Sequence, residues 1–283
     1  MTADLHCHSR ISDGSLSIRE LVSLAKRIGI NVLAIADHDT VEGLKEAAEE
    51  CQNQGIRNIS AVEISAYDHK RNRKAHILGY LLDRPEEVGQ ICSPMLDQRQ
   101  EVSKWIVDTL IDMGYPITWE LTEKLSSGST NVYKQHIMHA LMELGYAFSI
   151  HDELYVKLLA TPKDGNPCGV AYREIEYINV IEAVQAVKRA GGVAILAHPA
   201  GYKNMDLIPE LVSIGLDGLE AWHPSQNEAD EKAIKELAER YKLIVTGGSD
   251  FHGMYEGRAN PLGCCRTPEE YLEALYLRKG RCK

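Results

Sequence analysis

With 283 residues, 44% hydrophobic and 25% charged, the chain has an ordinary globular composition that excludes disorder and allows one large α/β barrel or two smaller domains. A formal net charge of -10 excludes broad, sequence-independent binding of nucleic acid, which needs many phosphate-neutralising cations, so no stable nucleic-acid partner is expected. No apolar run reaches the roughly 18 residues of a membrane span. The start, MTADLHCHS, has neither a basic region nor an apolar signal core, which points to a cytoplasmic protein with no membrane partner. Seven scattered cysteines, an odd number without a CxxC pair, read as free thiols.

In chain order, Ala3 to His8 reads as a strand. Ser17 and Glu20 then form a capping box ahead of a helix carrying Leu21, Leu24 and Ile28. Val32 to Ala36 is a second buried strand, followed by a helix from about Val41 to Gln54, and Ile59 to Ile64 and His76 to Leu81 are further strands. Arg71, Arg73 and Lys74 read as a basic turn between the last two. Strands alternating with helices predict parallel pairing.

From about Arg84 the pattern becomes helical. Pro94 is placed to open a long helix that Gly114 closes, Asn131 to cap another ending near Gly145, and a third runs from Ser149 to Ala160. The turn-rich loop Thr161 to Gly169 leads back to the main body. We therefore expect a barrel made of residues 1–83 and 176–283, with 84–175 an inserted, mostly helical subdomain that caps the substrate. After it, a helix from Val180 stops at Gly191 and Gly192. Strands follow at Val193 to Ala197, Gly218 to Trp222 and Leu243 to Thr246, the last two separated by a charged helix, and Thr267, Pro268 and Glu270 cap a final helix.

The chemically interesting residues sit where strands run out. Asp4, His6 and His8 lie on the first strand, Asp37, His38 and Asp39 follow the second, Glu63 and His76 mark the third and fourth, and His198, Asp250 and His252 follow later ones. In a parallel barrel the carboxyl ends of strands converge on one face. His6 and His8, two apart on a strand, point to the same side. A mixture of imidazole and carboxylate suits zinc, manganese or iron better than magnesium or calcium. So many candidate ligands exceed the needs of one ion, which implies at least two metals sharing a carboxylate.

In order along the chain, DLHCHS with Asp13, ADHD, VEIS, KAHILGY, LAHP and GSDFH resemble the motifs of the PHP (polymerase and histidinol phosphatase) family of the amidohydrolase superfamily. The resemblance implies a distorted (β/α)7 barrel and a trinuclear metal centre. One metal would take His6, His8, Glu63 and Asp250, a second Glu63, His76 and His198, and a third Asp13, His38 and His252. Implied with it is hydrolysis of a small phosphorylated metabolite (nucleotide, nucleoside bisphosphate or ribose phosphate, as monoester or cyclic diester), with a metal-bridging hydroxide attacking phosphorus.

Within the insertion, NVYKQHIMHALMELGY resembles a segment that carries an Arg-Pro-His phosphate clamp in the nucleotide- and RNA-cleaving subgroup. Here Lys134, Gln135 and His136 stand in its place; lysine keeps the charge but not the planar fork of arginine. Lys134 and His136 are candidate phosphate ligands, and the alternative is a solvated helix face. His223, in LEAWHPS, is a candidate for the substrate phosphate and for the general acid that protonates a leaving alkoxide. Packing beside Trp222 is its structural alternative. Competing functions are a 5'-3' exonuclease on short RNA and a histidinol-phosphate phosphatase.

Overall fold

The computed structural model describes residues 2–162, 167–257 and 259–280. It opens with two strand–helix units: β1 (Ala3–Cys7) leads to α1 (Ile18–Arg27) and β2 (Val32–Ile35) to α2 (Leu44–Gln54). The expected capping box is formed, the Ser17 side chain accepting from Glu20 N while Glu20 Oε2 accepts from Ser17 N at 2.9 Å. α1 buries Ile18, Leu21, Val22 and Ala25, whereas Ile28, expected on that face, caps the helix and is exposed. β1 pairs in parallel with β2, and β2 with β3 (Arg57–Asn58), giving a three-stranded sheet.

The second sheet has six strands in the order β6-β4-β5-β7-β8-β9: β4 (Ala61–Asp68), β5 (Arg73–Tyr80), β6 (Ile178–Asn179), β7 (Val193–Leu196), β8 (Gly218–Trp222) and β9 (Ile244–Gly247). Strands β7, β8 and β9 are parallel as expected. β5 is not: it runs antiparallel to both β4 and β7. A parallel crossover needs a dozen or more residues, and only His69 to Asn72 separate β4 from β5. Asp68 builds the turn by accepting from Lys70 N at 3.2 Å and Arg71 Nη1 at 2.8 Å. Arg73 and Lys74, expected in that turn, open β5 instead, and His76 lies within the strand rather than at its start. Neither sheet closes on itself. Single bridges, Cys7 to Phe251 and His38 to Glu63, link the two, so the chain is a mixed α/β fold without the continuous closed barrel sheet that was expected.

Between β5 and β6 lie α3 (Pro85–Asp112), α4 (Trp119–Leu125), α5 (Lys134–Glu143) and α6 (Glu153–Leu159), with no strand among the described residues. Pro94 does not open α3. Pro85 takes the first turn, backed by Glu86 and Glu87 against the helix dipole, and Pro94 falls inside the 28-residue helix. Asn131 does not cap α5 either: its amide donates to Leu96 O at 2.9 Å, while His136 Nδ1 accepts from Tyr133 N at 3.0 Å to complete the cap. The start of α3 packs into the sheet core through Val88 and Cys92. Further on, Ile106, Leu110, Ile137, Met138, Leu141 and Leu158 form a separate core with α5 and α6.

The chain returns through α7 (Val180–Arg189), α8 (Ile208–Ser213), α9 (Glu228–Tyr241) and α10 (Glu269–Gly280). Thr267, expected to cap α10, is buried and exchanges hydrogen bonds with Gly247 N and O at 2.7 and 2.8 Å, pinning that segment to β9. No helix of the described residues is long and apolar enough to cross a membrane. All six described cysteines are free.

Candidate metal centre

The period-two alternation of β1 sets the site. Leu5 and Cys7 enter apolar cores, so Asp4, His6 and, just past the strand, His8 share the opposite face. His6 Nε2 and His8 Nε2 each lie 3.2 Å from Glu63 Oε2, and 3.4 and 3.1 Å from Asp250 Oδ1. The other oxygen of Glu63 meets a different pair, His76 Nδ1 at 2.9 Å and His198 Nε2 at 3.1 Å. On the far side of His8, ligand atoms of Asp13, His38 and His252 gather with its own within 4.8 Å of one another, His252 Nε2 standing 3.4 Å from Asp13 Oδ1. All nine residues singled out from the sequence thus converge.

Buried carboxylates hold the strand ends in place. Asp4 accepts from Ser249 N and Oγ and from Gly263 N, which ties β1 to the loop carrying Asp250 and His252. Asp37 accepts from Ser9 N and from the hydroxyls of Ser9 and Ser12, fixing the loop that carries Asp13. At Gly248 the chain passes so close to His6 that a Cβ would stand 2.3 Å from the His6 nitrogen, so only glycine fits. Asp39, His198 and Asp250, each just past a strand, have positive φ of 62°, 28° and 51°. Such conformations cost about 1–3 kcal/mol each for a non-glycine residue and gather at functional sites.

The donor atoms fit metal ions. His6 Nε2 and both ring nitrogens of His8 are buried, and although carboxylate oxygens stand 3.1–3.4 Å from the two Nε2 atoms, none of the three nitrogens is in hydrogen-bonding geometry, a rare state for polar atoms unless something else takes the lone pair. Burial opposes ionisation of Glu63 and Asp250, yet the surrounding imidazoles hold both carboxyls well below the usual range. Burial pushes the His38 imidazole down to about 3 despite Glu63 and Asp13, leaving it neutral as a ligand must be. At His6 burial is outweighed by the carboxylates of Glu220 and Glu63, which hold its pKa well above the ordinary value, so the surroundings favour a positive charge there and a metal ion would bind by displacing the proton.

Glu220 was not singled out from the sequence. This fully buried carboxylate accepts from His198 N at 2.9 Å and lies 2.9 Å from His6 Nδ1, an arrangement that aims His6 Nε2 inward. A glutamate between Leu219 and Ala221 inside a buried strand was the available signal. Arg99 is another, its Nη2 donating to Asp39 Oδ2 at 2.9 Å. Gln135, read from the sequence only as a departure from the clamp pattern, donates its amide to Asp13 Oδ2 at 2.9 Å.

A cavity of about 340 Å³ opens beside the centre, lined by Asp13, His38 and His76, by Lys74, Arg99, Lys134 and Arg173, and by several tyrosines. Lys134 lies in this wall, not on a solvated face. Its Nζ donates to Leu159 O at 2.8 Å and stands 4.8 Å from the Tyr172 ring centre, and burial with Lys74 and Arg99 nearby pushes it down to about 8. His136 is not in that wall: it is fully buried, its Nε2 has no partner, and burial pushes it down to about 4. His223 is brought to the centre, Nδ1 at 2.8 Å from Ser225 Oγ and Nε2 at 3.2 Å from Asp250 Oδ2. With His198 and Asp250 it forms a further group able to hold a cation.

The chain is 39% identical over 264 residues to a phosphoribosyl 1,2-cyclic phosphate 1,2-diphosphodiesterase of Eggerthella lenta, covering 93% of this chain and 98% of that one. It is 32% identical to a 5'-3' exoribonuclease of Haemophilus influenzae, covering 88% and 89%. A crystal structure from Bifidobacterium adolescentis, described as a metal-dependent phosphoesterase, superposes with a TM-score of 0.85 at 30% identity over 98% of this chain and 96% of that one. The family model for the PHP domain matches residues 4–247, and by that match and the identities above this chain belongs to the PHP domain family.

Proposed function

We propose that the chain hydrolyses a small phosphorylated metabolite of the ribose phosphate or nucleotide kind, opening a cyclic phosphodiester and trimming the monoester, at a centre of three divalent transition-metal ions. The observation that supports the reading is the position of Glu63, one of whose carboxylate oxygens faces His6, His8 and His38 and the other His76 and His198, as a bridging ligand would. Residues His6, His8, Glu63 and Asp250 would hold one ion, Glu63, His76 and His198 a second, and Asp13, His38 and His252 a third. Manganese, zinc and iron all suit this ligand mixture. When bound, the ions supply Lewis acidity toward the phosphoryl group and acidify a water toward neutral pH.

The protein's own part is positioning. Gln135 and Glu220 orient Asp13 and His6. Lys74 and Lys134 would offer cations to the substrate's phosphate groups, and His223 Nε2 would give a proton to the leaving alkoxide while Ser225 holds the other ring nitrogen. In this reading residues 84–175 cap the substrate, and the bridges at Cys7 and His38 support viewing the two sheets as one distorted (β/α)7 barrel.

Phosphate release from ribose 1,2-cyclic phosphate 5-phosphate, nucleoside bisphosphates and mononucleotides, measured after loading each metal, tests the proposal; inactivity on all of them with metal bound rejects it. The Haemophilus influenzae relative favours a second reading, exonucleolytic cleavage of short RNA. Faster release from 5'-phosphorylated oligonucleotides than from any small ester would select it.

A further inference from the structure

Tyr202 stands on a tightly held turn between β7 and α8. Within the turn, Gly201 N donates to His198 O at 3.0 Å, Lys203 N to Ala200 O at 3.0 Å and Asn204 N to Pro199 O at 2.7 Å. Two contacts from outside fix it further. Ala200 N donates to Gln226 Oε1 at 3.1 Å, and the amide of fully buried Asn204 donates to Lys74 O at 2.8 Å. The half-buried Tyr202 side chain lines the cavity, its ring centre 5.0 Å from that of His76 and 5.1 Å from that of His198. His198 in turn meets the His223 ring at 4.8 Å, so a phenol and an imidazole both flank this candidate ligand. The other cavity tyrosines, Tyr133, Tyr155, Tyr172 and Tyr177, have no ring contact with a candidate ligand among the described residues. Tyrosine hydroxyls that leave bulk water normally find a partner. Among the described residues that of Tyr202 has none, so its O–H is open to a group that enters the cavity.

We infer that Tyr202 is a further catalytic residue, its hydroxyl donating a hydrogen bond to a non-bridging oxygen of the phosphoryl group undergoing hydrolysis. A donor held in place beforehand and aimed where charge builds up lowers the barrier without reorganising at the moment of reaction. The O–H bond stays intact, which separates this role from the proton transfer assigned to His223. Contact with His76 and His198, which with Glu63 would hold the second ion, ties Tyr202 to the reacting end of the substrate. The inference rests on the phosphoesterase reading and adds a donor from the protein itself to it.

The test compares the wild type with Tyr202→Phe, which removes only the hydroxyl and keeps the ring against His76 and His198. Both proteins are metal-loaded and given the ester that the wild type hydrolyses fastest. The expected result is a single-turnover cleavage rate about 10- to 100-fold lower in Tyr202→Phe, with KM within about threefold of the wild type. Inhibition by orthovanadate, whose five-coordinate form mimics the phosphoryl transition state, should weaken by a similar factor, and inhibition by inorganic phosphate much less. Bound-metal analysis should give equal metal contents, and thermal melting followed by circular dichroism should show both proteins folded. An unchanged single-turnover rate overturns the inference. So does a change confined to KM, an equal weakening of vanadate and phosphate, or a loss of rate matched by a loss of metal. No turnover of any ester by the metal-loaded wild type overturns the phosphoesterase reading, and this inference with it.

Discussion

Glu220 Oε1 lies 2.9 Å from His6 Nδ1, and both side chains are fully buried. A carboxylate there fixes the tautomer and the ring plane of His6 and raises its basicity as a ligand. Glu220→Gln keeps the shape but weakens both effects. We expect metal affinity to fall by about 10- to 100-fold, the range for such outer partners, with the fold retained. Metal titration of the stripped variant, read by bound-metal analysis, checks this.

Removal of the metals should also be felt as lost stability. The centre buries Glu63 and crowds Asp13 and Asp250 among imidazoles, with His6 Nε2 and both ring nitrogens of His8 outside hydrogen-bonding geometry. Ions that bind only the folded chain stabilise it by mass action, about 2.7 kcal/mol at a hundredfold excess over Kd. For a chain of this size that is a rise in Tm of roughly 5 °C or more. Melting curves with chelator, and then with manganese or zinc restored, should show the shift, and His8→Ala should shrink it.

The parts of the centre legible in the sequence were those set by local rules. His6 and His8 follow from period-two alternation on β1, and the remaining candidate ligands from their place at strand ends and in an ordered set of motifs. Helix α1 was legible through its Ser17 and Glu20 box. What escaped depends on distant partners. Glu220 acts on a histidine 214 positions away, and Arg99 on an aspartate 60 positions away, so neither spacing carries a signal. The β4–β5 hairpin was hidden because its turn, HKRN, lacks glycine; Asn72 supplies the left-handed residue at φ 56° instead. Pro94 misled because a proline preference marks a first turn, and Pro85 already filled it.

His136 gives a pH signature of stability separate from the metals. Burial lowers its folded pKa to about 4 from an ordinary 6.5, so below 6.5 the unfolded chain takes up a proton that the folded chain refuses. Stability should therefore fall as the pH drops from 6.5 toward 4 and lose nothing further from this residue below that, up to about 3 kcal/mol in all. His136→Gln can still accept from Tyr133 N but does not titrate. Denaturant melts of both proteins across this window should converge in slope above 6.5 and diverge below it, the wild type losing more.

Lys134 supplies the opposite limb, in substrate affinity. Burial, with Lys74 and Arg99 adding repulsion, brings its ammonium down to about 8, so the charge that attracts a phosphate is present below that pH and lost above it. KM for an anionic substrate should rise about tenfold or more as the pH passes from roughly 7 to 9.5, because a hydrogen bond to a charged group contributes about 1.5–3 kcal/mol. Water ionisation at the metals changes over the same range, and the variants separate the two effects. In Lys134→Arg the guanidinium stays charged and this part of the KM rise should vanish. In Lys134→Gln, KM should start high and lack the same step. A KM profile identical in all three proteins would place the Lys134 amine outside substrate contact, leaving it to its bond with Leu159 O and its place over Tyr172.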